Sequence, residues 1–180
     1  MFSAAVLKSP AMRGRSKLIE VNRAPVLTLW AAVVAEHLGH DEDTALTLGR
    51  AVAGLNAQTK GRKLGIFKPT EKPKAAARNR VELCGRAVPI LETDHGIRAL
   101  AGDRIINPES VRGYLERSFG DDLEAARSAM EALAGKFEPE ELKHACYGLY
   151  EQFRPSIPSG KRGWGTKGKL DLGLIRGLGK

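Results

Sequence analysis

The pattern of apolar and polar positions predicts a helical hairpin in the first third of the chain. Apolar residues recur at helical spacing over residues 25–38, and Gly39 supplies a natural C-terminal stop. The acidic residues 41–43 then open a second helical pattern, because negative side chains are favourable at the positive end of a helix. Gly49 lies on the apolar face of this second pattern, where a small residue would let the two helices approach closely.

The pattern changes in the middle of the chain. Apolar residues alternate loosely over 81–90, as they do in a half-buried strand, and a turn-forming Asp-His-Gly follows at 94–96. Residues 97–106 can return as one or two short strands, so we predict a small β-hairpin. Helical spacing then resumes, and three consecutive helices, each with its own start signal, are predicted within residues 107–153.

Together these patterns predict a mainly α fold, with an N-terminal helical hairpin, a C-terminal three-helix lobe and a small β-hairpin between them. Composition agrees, because 42% of the residues are hydrophobic but only 6% are aromatic, which favours an aliphatic helical core over a β-sandwich or barrel. The predicted organisation is a flexible basic N-terminus (1–16), the helical hairpin (17–59), a basic connector (60–80), the small β-hairpin (81–106), the three-helix lobe (107–153) and a basic tail rich in glycine and proline (154–180).

The net charge of +8 is distributed unevenly along the chain. Residues 1–23 carry +4, residues 60–80 carry +7 and residues 154–180 carry +6. The two remaining stretches are acidic, at −3 for residues 24–59 and −6 for residues 81–153. Glycine and proline oppose regular helix in the basic connector and tail. Their concentrated positive charge indicates an anionic partner.

These basic segments predict a nucleic-acid-associated protein that makes largely non-sequence-specific contacts to the phosphate backbone. One alternative is a helical adaptor that docks an acidic protein surface or a second copy of the chain. A small enzyme acting on a phosphorylated substrate is a third. We expect a binding protein rather than an enzyme and predict no catalytic residue, cofactor, metal or membrane segment. The predicted nucleic-acid-binding residues are Lys60, Arg62, Lys63, Lys68, Lys72, Lys74, Arg78, Arg80, Lys161, Arg162, Trp164, Lys167 and Lys169.

The predicted hairpin resembles the helix-turn-helix motif of DNA-binding proteins in its packing positions. Ala35 and Gly39 have the spacing of that motif, and Ala45 and Leu48 fall where its second helix packs. The motif places the start of its second helix against DNA, where this chain carries the three carboxylates of residues 41–43. Because these groups would repel phosphate and cannot offer the usual base contacts, we interpret the hairpin as an ordinary packing unit.

Residues 163–169 match the first seven positions of the P-loop pattern G-x-x-x-x-G-K. Leu170 replaces the hydroxyl residue that would bind magnesium, and too few residues follow for the parallel sheet that the loop requires, so we reject nucleotide hydrolysis. The exposed backbone and the lysines can still bind phosphate. Trp164 has two interpretations: its indole stacks on an unpaired base, or it anchors the tail on the helical body.

The histidines do not predict a metal site or a catalytic site. His37 and His40 are three residues apart and have acidic neighbours, but they lack the spacing of a zinc motif, and we interpret them as capping or surface residues. Asp94 and His95 are adjacent in a predicted turn, where a catalytic dyad seldom forms unaided.

The two cysteines bear on the location of the protein. We interpret Cys84 and Cys146 as buried free thiols in a reducing compartment. The longest apolar run, residues 24–35, is too short to span a bilayer, and no signal-peptide pattern stands out at the N-terminus. The predicted location is therefore cytoplasmic.

Overall fold

The computed structural model describes residues 17–63, 79–157 and 167–179, with residues 60–63 described by their backbone alone. A short 3₁₀ turn spans Gly120–Asp122. In chain order the strands and helices are β1 (Leu18–Val21), α1 (Arg23–His37), α2 (Glu42–Lys63), β2 (Asn79–Leu83), β3 (Arg86–Thr93), β4 (Gly96–Ala101), β5 (Arg104–Ile105), α3 (Pro108–Phe119), α4 (Leu123–Ala134), α5 (Pro139–Phe153), β6 (Gly168–Asp171) and α6 (Leu172–Gly177).

Helix α1 is the centre of the molecule. Every residue from Pro25 to Ala35 is buried, as expected for a helix that is apolar on all sides. Helix α2 follows after a tight turn in which Gly39 has a φ of +110°, and it packs back along α1. A Cβ atom added at Gly49 would lie 2.3 Å from the carbonyl oxygen of Thr28. The two helices are therefore in contact closely enough that only glycine fits at this position.

Helix α5 packs against α1 in the opposite direction. The indole Nε1 of Trp30 donates to the carbonyl oxygen of Cys146 at 2.9 Å, and the Tyr150 hydroxyl donates to the carbonyl oxygen of Arg23 at 3.4 Å. Since α2 also runs against α1, helices α2 and α5 run in the same direction. Both therefore end near the first residues of α1.

Strands β2 to β5 form an antiparallel sheet in the order β2-β3-β4-β5. The sheet packs against α2 through β3 and β4, and its inward residues Val88, Ile90 and Ala99 are buried. Thr47 stabilises the contact between α2 and β4, because its hydroxyl accepts a hydrogen bond from the backbone N–H of Ala99 at 3.0 Å.

A second sheet joins the two ends of the described chain. Strand β1 pairs antiparallel with β6, from Leu18 opposite Asp171 to Val21 opposite Gly168. Ser156 extends the pairing through two backbone hydrogen bonds with Lys169, of 3.1 and 3.0 Å. Helix α6 then packs on α4 with Ile175 buried, so the segment after β6 is part of the core.

The prediction of a mainly α fold with one small β-hairpin is wrong in its β content. The described residues are mainly helical, but they also form two antiparallel sheets, one of four strands and one of two. Strands β1 and β6 have only four residues each, which is too short for a periodic signal, and their pairing partner lies about 150 positions away in the chain. Only the folded core brings them together.

The interpretation of the cysteines as free thiols is also wrong. Cys84, in the turn between β2 and β3, forms a disulfide with Cys146 of α5, and their Cα atoms are 4.9 Å apart. The bond closes a separation of 62 residues and ties the four-stranded sheet to α5. Because free thiols were part of the case for a cytoplasmic location, that location stays a prediction. In the described part of the chain, no helix is both long and apolar enough to cross a membrane.

Candidate anion-binding site

Only part of the predicted nucleic-acid-binding set falls within the described structure. Arg80, Lys167 and Lys169 are described with their side chains, and all three are exposed. Lys60, Arg62 and Lys63 form the last turn of α2, of which only the backbone is described. The residues that lie outside the described ranges are Lys68, Lys72, Lys74, Arg78, Lys161, Arg162 and Trp164.

Arg80 and the two described tail lysines lie on different sheets. Arg80 is in the edge strand β2, opposite Pro89 of β3. Lys169 is in β6, opposite Glu20 of β1, and Lys167 immediately precedes that strand. Among the described contacts, none joins Arg80 to either lysine, so the structure does not bring these three residues together.

The end of α2 and strand β6 lie at the same end of the molecule. The Tyr147 hydroxyl donates to the side-chain oxygen of Asn56 at 3.1 Å, about one helical turn before residues 60–63. From Tyr147, helix α5 continues to Pro155, whose carbonyl oxygen accepts a hydrogen bond from Arg23 Nε at 2.9 Å. The next residue, Ser156, pairs with Lys169.

We call this part of the molecule the basic end. It consists of residues that surround the start of α1: Arg23, Arg117, Arg154, Lys167, Lys169 and the last turn of α2, residues 60–63. Burial, together with the nearby Arg154, lowers the pKa of Arg23 from its ordinary value. Within the described residues, none of the five named side chains forms a salt bridge, although Glu20 lies opposite Lys169 in the β1–β6 pair.

A cleft of about 230 Å³ opens at the basic end, between the start of α1 and the second half of α3. Two cationic side chains, Arg117 and Lys167, line it, and both are exposed. None of the described lining residues is acidic. The described lining residues are Val21, Asn22, Pro25, Tyr114, Arg117, Ser118 and Lys167.

Helix α3 presents its three lining residues together because they are spaced by three and four positions. The helix is fixed at its start, where the Asn107 side chain accepts a hydrogen bond from the backbone N–H of Glu109 at 2.8 Å. The guanidinium of Arg50 lies 4.7 Å from the centre of the Tyr114 ring. Burial raises the pKa of Tyr114, with Arg50 opposing the shift, so the phenol is protonated at neutral pH and can donate a hydrogen bond.

The start of α1 forms the opposite wall of the cleft. Asn22 occupies the N-cap position but its side chain makes no capping hydrogen bond. The side-chain oxygen of Asn22 is buried and has no hydrogen-bond partner among the described residues. In the part of the chain that the structure describes, no side chain therefore accepts a hydrogen bond from the first backbone N–H groups of this 15-residue helix, at its positive end.

The opposite end of the α1–α2 hairpin, which we call the turn end, has the reverse charge arrangement. Arg112 Nη2 lies 2.5 Å from Asp43 Oδ1, and Arg112 Nη1 lies 2.6 Å from Glu109 Oε2. Asp43 also lies 3.8 Å from Arg98, whose side chain is only 8% exposed. Asp41 accepts a 2.7 Å hydrogen bond from the Thr44 hydroxyl, which lowers the pKa of Asp41.

The other chemical candidates do not combine into a site. Among the described residues, no group of three or more potential metal ligands lies together. His37 Nε2 lies 3.3 Å from the carbonyl oxygen of Phe137, and Asp94 and His95 form the turn between β3 and β4, away from the cleft lining. Lys169, the P-loop lysine position, lies within an antiparallel strand.

Sequence reasoning missed four polar or aromatic cleft residues, Asn22, Tyr114, Arg117 and Ser118. Arg117 belongs to a stretch with a net negative charge, so the net charge of that segment gives no reason to select it as an anion-binding residue. The spacing of Tyr114, Arg117 and Ser118 on one helix face is visible in the sequence, but nothing local shows that this face meets Lys167.

No protein-family model matches this chain, and neither the curated proteins nor the solved structures contain a significant match.

Proposed function

We propose that this protein binds nucleic acid through the phosphate backbone, with the basic end as its contact surface. The observation that carries the proposal is that the last turn of α2, where the +7 connector begins, lies at the same end of the molecule as Lys167 and Lys169 of the +6 tail. Two segments that are about 100 residues apart in sequence are thus anchored around the start of α1.

The unpaired state of these cations supports the proposal. Arg23, Arg117 and Lys167 form no salt bridge with a described carboxylate, and the pKa of Arg23 is lowered by burial first and by the neighbouring Arg154 second. Cations that repel one another cost free energy in the unbound protein, and bound phosphates relieve that repulsion. Lysine and arginine also release condensed counterions from a polyanion, so the affinity is expected to fall steeply with salt.

Sequence-specific reading of base edges is not part of the proposal. The hairpin turn that resembles a helix-turn-helix motif carries Asp41, Glu42 and Asp43, and these carboxylates already interact with Thr44, Arg98 or Arg112. A surface of this kind disfavours contact with phosphate, and the basic end lies at the other end of the hairpin.

Fluorescence anisotropy with labelled DNA and RNA oligonucleotides at low salt tests the proposal. We expect binding that weakens by orders of magnitude between about 50 and 200 mM salt. Undetectable binding to both DNA and RNA at low salt would contradict the proposal. Gel filtration of the protein without nucleic acid distinguishes the proposal from the adaptor alternative. A defined oligomer whose formation competes with oligonucleotide binding would favour docking to an acidic protein surface.

A further inference from the structure

The cleft at the basic end has the lining of an anion site. Arg117 and Lys167 supply two positive charges, and Ser118 and Tyr114 supply hydroxyl groups. The described lining contains no carboxylate. A dianion held by two such cations forms charge-assisted hydrogen bonds, which are stronger than neutral ones.

The start of α1 adds a favourable helix dipole to the same cleft, because Asn22 and Pro25 of its lining lie at the start of that helix. The Asn22 side chain does not cap α1, and among the described residues no side chain accepts a hydrogen bond from the first backbone N–H groups of the helix. The cleft therefore offers an anion two cationic side chains, two hydroxyl groups and the positive end of a helix dipole.

The size of the cleft narrows the class of ligand that it can hold. A volume of 230 Å³ corresponds to about seven water molecules at about 30 Å³ each, which is more than a single inorganic phosphate needs. The cleft therefore has room for a phosphate group together with the group to which it is esterified.

We propose that this cleft binds a phosphate monoester together with its attached sugar. Two sources supply that chemistry: the terminal nucleotide of a nucleic-acid strand, and a free mononucleotide. The first source rests on the proposed function, because it makes the cleft the place where a bound strand ends. The second source is independent of it.

Isothermal titration of the full-length protein separates these sources. The probes are adenosine 5′-monophosphate, adenosine, and one single-stranded oligonucleotide prepared with a 5′-phosphate and with a 5′-hydroxyl. The variants are Arg117→Gln and Lys167→Gln, both at exposed positions. Arg104→Gln is the matched control, because it removes one exposed positive charge from β5, outside the cleft.

If strand ends are the ligand, the 5′-phosphorylated oligonucleotide binds about tenfold or more tightly than the hydroxyl form. Arg117→Gln and Lys167→Gln remove that difference, whereas Arg104→Gln preserves it. If free mononucleotides are the ligand, adenosine 5′-monophosphate binds, adenosine does not, and only the two cleft variants weaken it.

The inference is overturned if the phosphate makes no difference to either pair of probes, or if all three variants weaken binding equally. The proposed function can fail separately. If the oligonucleotide with a 5′-hydroxyl binds in a salt-sensitive way and the 5′-phosphate does not increase its affinity, backbone binding is supported and the proposed cleft ligand is contradicted. Binding of the mononucleotide without binding of either oligonucleotide would support the cleft ligand and contradict the proposed function.

Discussion

The two ends of the α1–α2 hairpin carry their charges in opposite ways. At the turn end, Asp43 is matched internally by Arg98 and Arg112, so charge there contributes to the stability of the fold. At the basic end, Arg117 and Lys167 have no acidic partner among the described residues. The comparison shows that the same residue types serve structure where they are paired and remain available for an external anion where they are not.

The disulfide gives the largest expected effect, because it closes a long loop and ties the four-stranded sheet to α5. Reducing the bond between Cys84 and Cys146 is expected to lower the free energy of unfolding by about 4 kcal/mol for a closed loop of 62 residues. Urea denaturation with and without reductant measures this difference. The double variant Cys84→Ala, Cys146→Ala is the control, and a response of that variant to the reductant would mean that the effect is not due to this bond.

Gly49 tests the close approach of α1 and α2, the two helices whose ends are compared. Gly49→Ala is expected to lower the free energy of unfolding by about 3 kcal/mol, since its Cβ would lie 2.3 Å from the Thr28 carbonyl oxygen. Gly54→Ala in the same helix has no atom within 4 Å of the new Cβ and is expected to stabilise the protein by up to about 1 kcal/mol. Thermal unfolding followed by circular dichroism distinguishes the two, and equal shifts would contradict the close approach of the helices.

Asp43 tests the structural role of charge at the turn end. Asp43→Ala leaves the buried guanidinium of Arg98 without its carboxylate and removes the closest partner of Arg112, at an expected cost of about 2 kcal/mol. Glu116→Ala, at an exposed position of α3, is the charge-matched control and is expected to stay within about 0.5 kcal/mol of the original protein. Oligonucleotide affinity should not fall in either variant, and a loss in Asp43→Ala alone would place the contact surface at the turn end.

Asp41 gives the smallest effect and adds a pH dependence. Asp41→Ala is expected to lower the free energy of unfolding by about 1 kcal/mol, because the carboxylate caps α2 through Thr44. The hydrogen bond from Thr44 lowers the pKa of Asp41 below the ordinary 3.8, so its contribution is present above that pH and is lost as the pH falls through the lowered value. Unfolding curves at neutral and strongly acidic pH check this, and a difference that grows on acidification would contradict it.

Local signals in the sequence were sufficient for much of the helical part. Asn107 and Pro108 predicted the start of α3, and the structure confirms it with the hydrogen bond from Glu109 to the Asn107 side chain. The predicted stop at Gly39 is likewise confirmed by the turn after α1. Caps and turns depend on residues within a few positions of one another, which is why they can be recognised without the fold.

Long-range features could not be predicted in the same way. The pairing of β1 with β6 and the disulfide of Cys84 with Cys146 both join segments that only the core brings together. The cleft has the same origin, because only the fold places Arg117 and Lys167 in one lining beside the start of α1. Segment charge led to the prediction that Lys167 binds nucleic acid, and that side chain is exposed, but the binding itself stays a prediction. Segment charge gave no reason to choose Arg117 from an acidic stretch.

The salt dependence of oligonucleotide binding tests the basic end most directly. The triple variant Lys60→Gln, Arg62→Gln, Lys63→Gln removes three charges from the last turn of α2, and a variant with Arg104→Gln and Lys143→Gln serves as the control away from that end. If the basic end contacts phosphates, the slope of log affinity against log salt becomes shallower by about 3 in the triple variant and stays nearly unchanged in the control. An unchanged slope in the triple variant would contradict the account.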